Sequence, residues 1–163
     1  MSTLSVRTQS VGETVALGQV LGEVLAPGDV VALVGPLGAG KTYFTKGIAL
    51  GLGVADSSQV VSPSFVLVRE HVGRCRLRHV DAYRLRHPRE LMELGAEELF
   101  DEAGVTVVEW ADRFPVGTVP ATLEVRFSHA GVQDRQIVLS AESERGQELI
   151  ESLGQAPTLG REH

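Results

Sequence analysis

A three-layer α/β fold around a central mixed sheet is predicted by three features of the chain. First, Val30-Val31-Ala32-Leu33-Val34 is an unbroken apolar, β-rich run, as in a fully buried strand, and Tyr43 to Leu52 can form a helix. Between them lies Gly35-Pro36-Leu37-Gly38-Ala39-Gly40-Lys41-Thr42, which fits G-x-x-x-x-G-K-[ST] at every fixed position. Second, Val105-Thr106-Val107-Val108 repeats the buried-strand pattern. Third, the stretches 74–81, 122–127 and 135–139 alternate apolar and polar residues as hairpin strands do. A strand, a glycine-rich loop and a helix in that order define a phosphate-loop NTPase architecture. Its parallel core strands are flanked by antiparallel hairpins, with helices on both faces.

The elements follow in order. Leu4 to Arg7 reads as a short edge strand, and Ser10-Val11-Gly12-Glu13 is a capping box that starts a helix. Leu17, Val20, Leu21, Val24 and Leu25 recur at helical spacing on its buried face, and Pro27-Gly28 ends it. Gly51-Leu52-Gly53 breaks the next helix, and Asp56 to Gln59 is a polar connection. In the stretch from Val60 to Glu70, Pro63 removes a ladder donor between the hydroxyls of Ser62 and Ser64. This segment fits equally a serine-capped loop and a nucleotide-sensing switch. Arg74 to Asp81 alternates as a half-exposed strand, paired with the preceding one across Val72-Gly73. From Pro88 the pattern is helical, with Leu91, Leu94, Leu99 and Phe100 apolar, Gly95 splitting the segment and Gly104 closing it. A hairpin turning at Gly131 and a helix from Glu144 to Leu153 complete one domain over residues 1–154, with a flexible tail over 155–163.

At 163 residues and 43% hydrophobic, the chain suits one domain with a real core. Fifteen Lys and Arg against 21 Asp and Glu give a net charge of −6, which repels a nucleic-acid backbone, so a partner would hold any RNA. The single cysteine, Cys75, excludes an internal disulfide framework and reads as a packing residue. The N-terminal residues lack the features of a signal peptide and no run reaches membrane-spanning length, so no membrane association and a cytoplasmic location are expected.

The chemistry centres on the glycine-rich loop. Its backbone N–H groups turn into one concavity at a helix N-terminus, where anions are favoured. Lys41 reaches β- and γ-phosphates, and the Thr42 hydroxyl ligates Mg²⁺. Two acids compete for the second magnesium contact. The uniformly apolar run before Glu109 assigns it to a central strand and to Mg²⁺, directly or through water. Asp81 falls on a neighbouring strand, where it orients the attacking water or the metal shell; either acid could instead cap its strand. Trp110, the only tryptophan, packs on the base, against a switch or in the core. Tyr83 and Arg84 stand beside Asp81 in a locally basic run, and Arg135 lies where it can approach nucleotide phosphates. The five histidines show no ligand spacing.

Four stretches, taken together, resemble the TsaE (YjeE) family of small phosphate-loop ATPases: Gly35 to Thr42, Ser62-Pro63-Ser64-Phe65, His79-Val80-Asp81-Ala82-Tyr83-Arg84-Leu85 and Val108-Glu109-Trp110. The resemblance runs from Ser10 to the terminal hairpin. It departs from the usual family pattern at Ser64, where a threonine is common, and at Ala111, where a proline often stands. It implies ATP as the nucleotide, Mg²⁺ held by Thr42 and Glu109, and a role near the γ-phosphate for Asp81, with Lys41 completing the catalytic set. It implies an adenine site near Ser10, Val11 and Thr14, nucleotide contacts along Gly35, Leu37, Gly38, Ala39, Gly40, Thr42 and Tyr43 and at Trp110 and Arg135, and a switch or partner surface at Ser62, Pro63, Ser64, Phe65, Tyr83 and Arg84. The implied partners are the proteins TsaD and TsaB, with tRNA engaged only through them during threonylcarbamoylation of adenosine 37. ATP turnover would reset that complex.

Rival functions make distinct demands. A GTPase needs an N/T-K-x-D motif, and none occurs. A small-molecule or nucleoside kinase would use Arg84, Arg86 and Arg89 as a lid and phosphorylate an acceptor. A nucleotide-dependent adaptor would need ATP only to bind its partner.

Overall fold

The computed structural model describes residues 1–56, 60, 68–83, 87, 100–101 and 103–156. Within them seven strands form one sheet: β1 (Ser2–Thr8), β2 (Val30–Val34), β3 (Val68–Val72), β4 (Arg76–Asp81), β5 (Gly104–Glu109), β6 (Leu123–His129) and β7 (Arg135–Ala141), in the spatial order β1-β7-β6-β2-β5-β4-β3. The apolar strand β2 lies at the centre, parallel to β6 on one side and β5 on the other, and β5 is parallel to β4. Every residue of β2 and β5 is buried, as parallel strands covered on both faces require. The pairs β3–β4 and β6–β7 are antiparallel hairpins, and β1 adds antiparallel to β7 as an edge. The mixed sheet with parallel core and hairpin flanks is the predicted one.

Three α-helices, α1 (Val11–Val24), α2 (Lys41–Gly51) and α3 (Glu144–Gly154), share one hydrophobic core with the sheet. Leu17 and Leu21 of α1, Phe44 and Ile48 of α2 and Leu149 and Leu153 of α3 meet Val31, Leu33, Val107, Val125 and Ile137 there. A smaller cluster on the other face joins Val80 and Val108 to Ala82 and Phe114, just beyond a one-turn 3₁₀ helix at Ala111–Arg113.

Glycine sets how closely α1 and α2 approach. A Cβ on Gly18 would lie 2.2 Å from the Phe44 carbonyl oxygen, and one on Gly47 would lie 2.1 Å from that of Val15. The helices therefore touch backbone to backbone, so α1 buttresses the helix that starts at the phosphate loop. This corrects the expected buried face of α1. Gly18 and Gly22 occupy it beside Leu17 and Leu21, while Val24 is exposed, because an apolar side chain at the crossing would hold the helices apart.

Other boundaries also shift. Helix α2 begins at Lys41 instead of Tyr43, since Gly40 adopts φ 103° as its N-cap and lets the loop pass straight into the first turn. Helix α3 includes Gly154, and β1 is longer than expected because all seven residues pair with β7. Strand β4 is not half-exposed: all but Arg76 are buried between β3 and β5. The alternating charge that suggested exposure is neutralised internally, with Arg78 bound to Asp101 at 2.8 Å and 3.7 Å from Glu70. The expected helices after Pro88 and the tail beyond residue 156 lie outside the described residues.

Candidate functional site

The site forms where β2, β4 and β5 end and α2 begins. In β4 and β5, Leu77, His79 and Asp81 pair with Val105, Val107 and Glu109, so strand alternation brings these six side chains to the face that carries α2. The glycine-rich loop leaves the end of β2 and delivers Lys41 and Thr42 over that crevice. Ligands in open α/β sheets bind at this carboxyl edge.

Thr42 Oγ1 donates to Glu109 Oε1 at 2.9 Å. The second oxygen of Glu109, Oε2, accepts from His79 Nε2, and both side chains are buried, with 3% and 0% exposed. Asp81, the register partner of Glu109, accepts the backbone N–H of Tyr83 on Oδ1 at 2.9 Å. The two acids expected at strand ends therefore stand side by side on β5 and β4, with Glu109 nearer the loop.

Lys41 Nζ donates to the carbonyls of Gly35 and Pro36 at 2.7 and 2.8 Å and lies 3.8 Å from the Trp110 ring centroid. Burial pushes its pKa below the ordinary lysine value, while Glu109, Asp112 and Asp81 pull it back up. Trp110 also packs against the smaller cluster of Val80, Ala82, Val108 and Phe114, so the ring serves the core and the crevice together. Trp110 has a left-handed backbone at φ 59°, and its ring lies 5.0 Å from that of Tyr83 at a tilt of 45°, with Arg113 5.4 Å from the Tyr83 ring. Leu37 to Tyr43, with Glu109 and Trp110, line a cleft of about 230 Å³.

Beside it, Val11, Thr14, Gly38, Gly40, Tyr43, Gln133 and Arg135 line a smaller recess of about 50 Å³. Arg135 is the first residue of β7 and donates to the Gly38 carbonyl at 3.2 Å, which ties the terminal hairpin to the loop. Ser10 does not join that lining; its Oγ accepts the Glu13 N–H at 3.1 Å as the cap of α1. Thr14 faces inward, its hydroxyl 2.8 Å from that of Thr8.

Most of the expected set therefore converges: Gly35 to Tyr43, Asp81, Glu109, Trp110 and Tyr83, with Val11, Thr14 and Arg135 alongside. Ser62, Pro63, Ser64, Phe65 and Arg84 lie outside the described residues. Sequence reasoning missed two residues. His79 could have been found two positions before Asp81 on the same strand face, and Gln133 had no signal beyond its nearness to Arg135.

The fold and loop define a protein of the phosphate-loop NTPase class. A sequence model of the family described as "Threonylcarbamoyl adenosine biosynthesis protein TsaE" matches residues 8–137. The tRNA threonylcarbamoyladenosine biosynthesis protein TsaE of Bacillus subtilis is 38% identical over 154 residues, 94% of this chain and 95% of that protein. The protein of the same name from Treponema pallidum is 41% identical over 122 residues, 72% of this chain and 89% of that one. The crystal structure of B. subtilis YdiB superposes with a TM-score of 0.75 at 34% identity, covering 94% of this chain and 95% of that one. The chain belongs to the TsaE family.

Proposed function

We propose that this chain is a Mg²⁺-dependent ATPase that serves threonylcarbamoylation of tRNA adenosine 37 by binding and resetting a TsaB–TsaD complex. The observation that carries the reading is the convergence of Lys41, Thr42, Glu109 and Asp81 on one crevice at the start of α2. The loop N–H groups and the α2 N-terminus favour the phosphates, and Lys41 can exchange its two loop carbonyls for phosphate oxygens. Thr42 Oγ1 and Glu109 Oε1 are hard oxygen donors already 2.9 Å apart, which suits Mg²⁺. When bound, that ion neutralises charge on the transferred phosphoryl group. Asp81, held by the Tyr83 N–H beside Glu109, orients the attacking water in this reading. The recess at Val11 and Thr14 takes the edge of the base, with Arg135 at its rim.

Family membership and the protein names among the relatives support the link to tRNA modification. The net charge of −6 supports contact with tRNA through protein partners. In the test, phosphate release is followed with ATP and Mg²⁺ alone, then with TsaB, TsaD, tRNA and threonylcarbamoyl-AMP. Slow release alone, stimulation in the mixture and loss with Lys41→Ala or Asp81→Ala are expected. Sustained tRNA modification by Asp81→Ala would identify an adaptor, and transfer of the γ-phosphate to a small acceptor would identify a kinase.

A further inference from the structure

We propose that His79 is the positioning residue of the metal site: its Nε2–H holds Oε2 of Glu109 so that Oε1 faces Thr42 and a divalent cation. This rests on the magnesium reading above and deepens it.

Glu109 is 3% exposed, and carboxylate oxygens withdrawn from water need hydrogen-bond donors. Oε1 has the Thr42 hydroxyl and Oε2 has His79. A threonine hydroxyl carries one proton. If that oxygen turns its lone pair to a cation, its proton need no longer point at Glu109. His79 is then the donor that keeps the carboxylate in place.

The imidazole suits this task. His79 Nδ1 is buried and has no hydrogen-bond partner among the described residues. A neutral ring has one N–H, and with Nδ1 unpartnered that proton belongs on Nε2, where Glu109 accepts it. The sheet fixes the backbone of His79, which pairs with Val107 and Arg69 on either side, and the side chain is fully buried, so the ring is held in place by its packing.

Partners of metal ligands are commonly worth about 10- to 100-fold in metal affinity. Mg²⁺ is therefore titrated by calorimetry into the full-length protein saturated with a non-hydrolysable ATP analogue, and analogue binding is measured separately in EDTA. His79→Leu fills the space without a donor, while His79→Gln offers an amide N–H near the Nε2 position. The expected result is a 10- to 100-fold loss of Mg²⁺ affinity in His79→Leu, unchanged analogue affinity in EDTA, and recovery to within a few-fold in His79→Gln. Wild-type Mg²⁺ affinity in a folded His79→Leu protein overturns the proposal.

If circular dichroism shows that His79→Leu does not fold, His79→Asn, whose amide falls near Nδ1, is compared with His79→Gln. Equal Mg²⁺ affinity in those two overturns the proposal, and retention by Gln alone supports it. Absence of any Mg²⁺-linked gain in the wild-type protein would overturn the magnesium reading itself, a failure visible before any variant is made.

Discussion

Thr42 Oγ1 and Glu109 Oε1 are 2.9 Å apart, which joins the first turn of α2 to the last residue of β5. Two residues 67 positions apart in the chain thus present their oxygens at one point. If both act on one ion, their substitutions are not independent. Thr42→Ala and Glu109→Gln should each weaken Mg²⁺-dependent ATP hydrolysis, while the double variant should be little worse than the more damaged single one. Kinetics at varied Mg²⁺ should give a coupling energy of about 1–3 kcal/mol. Simple additivity would separate the two roles.

Trp110 lies 3.8 Å from the Lys41 ammonium, and it is the only tryptophan in the chain. A phosphate group that draws Lys41 away from the ring changes the indole environment. Adding ATP should therefore shift or quench tryptophan emission in a saturable way, and Lys41→Met should abolish the response. A full response in Lys41→Met would detach the ring from the phosphate site.

Much of this site is legible in the sequence. The glycine loop, the apolar β2 and β5 and the two strand-end acids follow from patterns whose physics is local: glycines that free the backbone and β-branched runs that fit only a covered strand. What depended on three dimensions was less visible. The charges of β4 suggested exposure because Asp101 and Glu70, which pair with Arg78, are remote in sequence or on the neighbouring strand. His79 stands in the stretch that carries Asp81, but its role was hidden because its partner Glu109 is thirty residues away. The apolar stripe of α1 gave no sign that Gly18 and Gly22 mark where α2 presses in.

That close contact makes a sharp stability prediction. A methyl group at Gly47 would meet the Val15 carbonyl at 2.1 Å, and backbone cannot rotate aside as a side chain can. Gly47→Ala should cost about 1–3 kcal/mol or more, equivalent to roughly 3–10 °C in Tm for a domain of this size. Activity should fall with it, because α2 carries the loop. Gly12→Ala is the control: its nearest neighbour is the Ser10 hydroxyl at 3.8 Å, so it should be neutral or stabilise by up to about 1 kcal/mol. Equal melting temperatures for the two variants would contradict the tight crossing.

Arg74 fastens the opposite ends of the same two helices. Its guanidinium donates to the carbonyls of Gly22, Glu23 and Leu25 at 3.1, 3.4 and 2.5 Å and to that of Gly51 at 3.1 Å. These are carbonyls at the C-terminal ends of α1 and α2, where unpaired acceptors and the helix dipoles favour a cation. Its own backbone N–H reaches the Leu52 carbonyl at 2.7 Å, so the β3–β4 turn is tied to the end of α2. Because the side chain is exposed, water can replace part of what is lost. Arg74→Met, which keeps an apolar stem, should therefore cost only about 1–2 kcal/mol. Arg74→Lys should recover less than half of that, since one ammonium cannot match a planar fork aimed at both helices. Urea denaturation with unchanged m-values checks the direction. Because the clamp grips the end of α2 opposite the phosphate loop, ATP affinity should be nearly unchanged in both variants. A large loss of affinity would mean that α2 transmits strain along its length to Lys41.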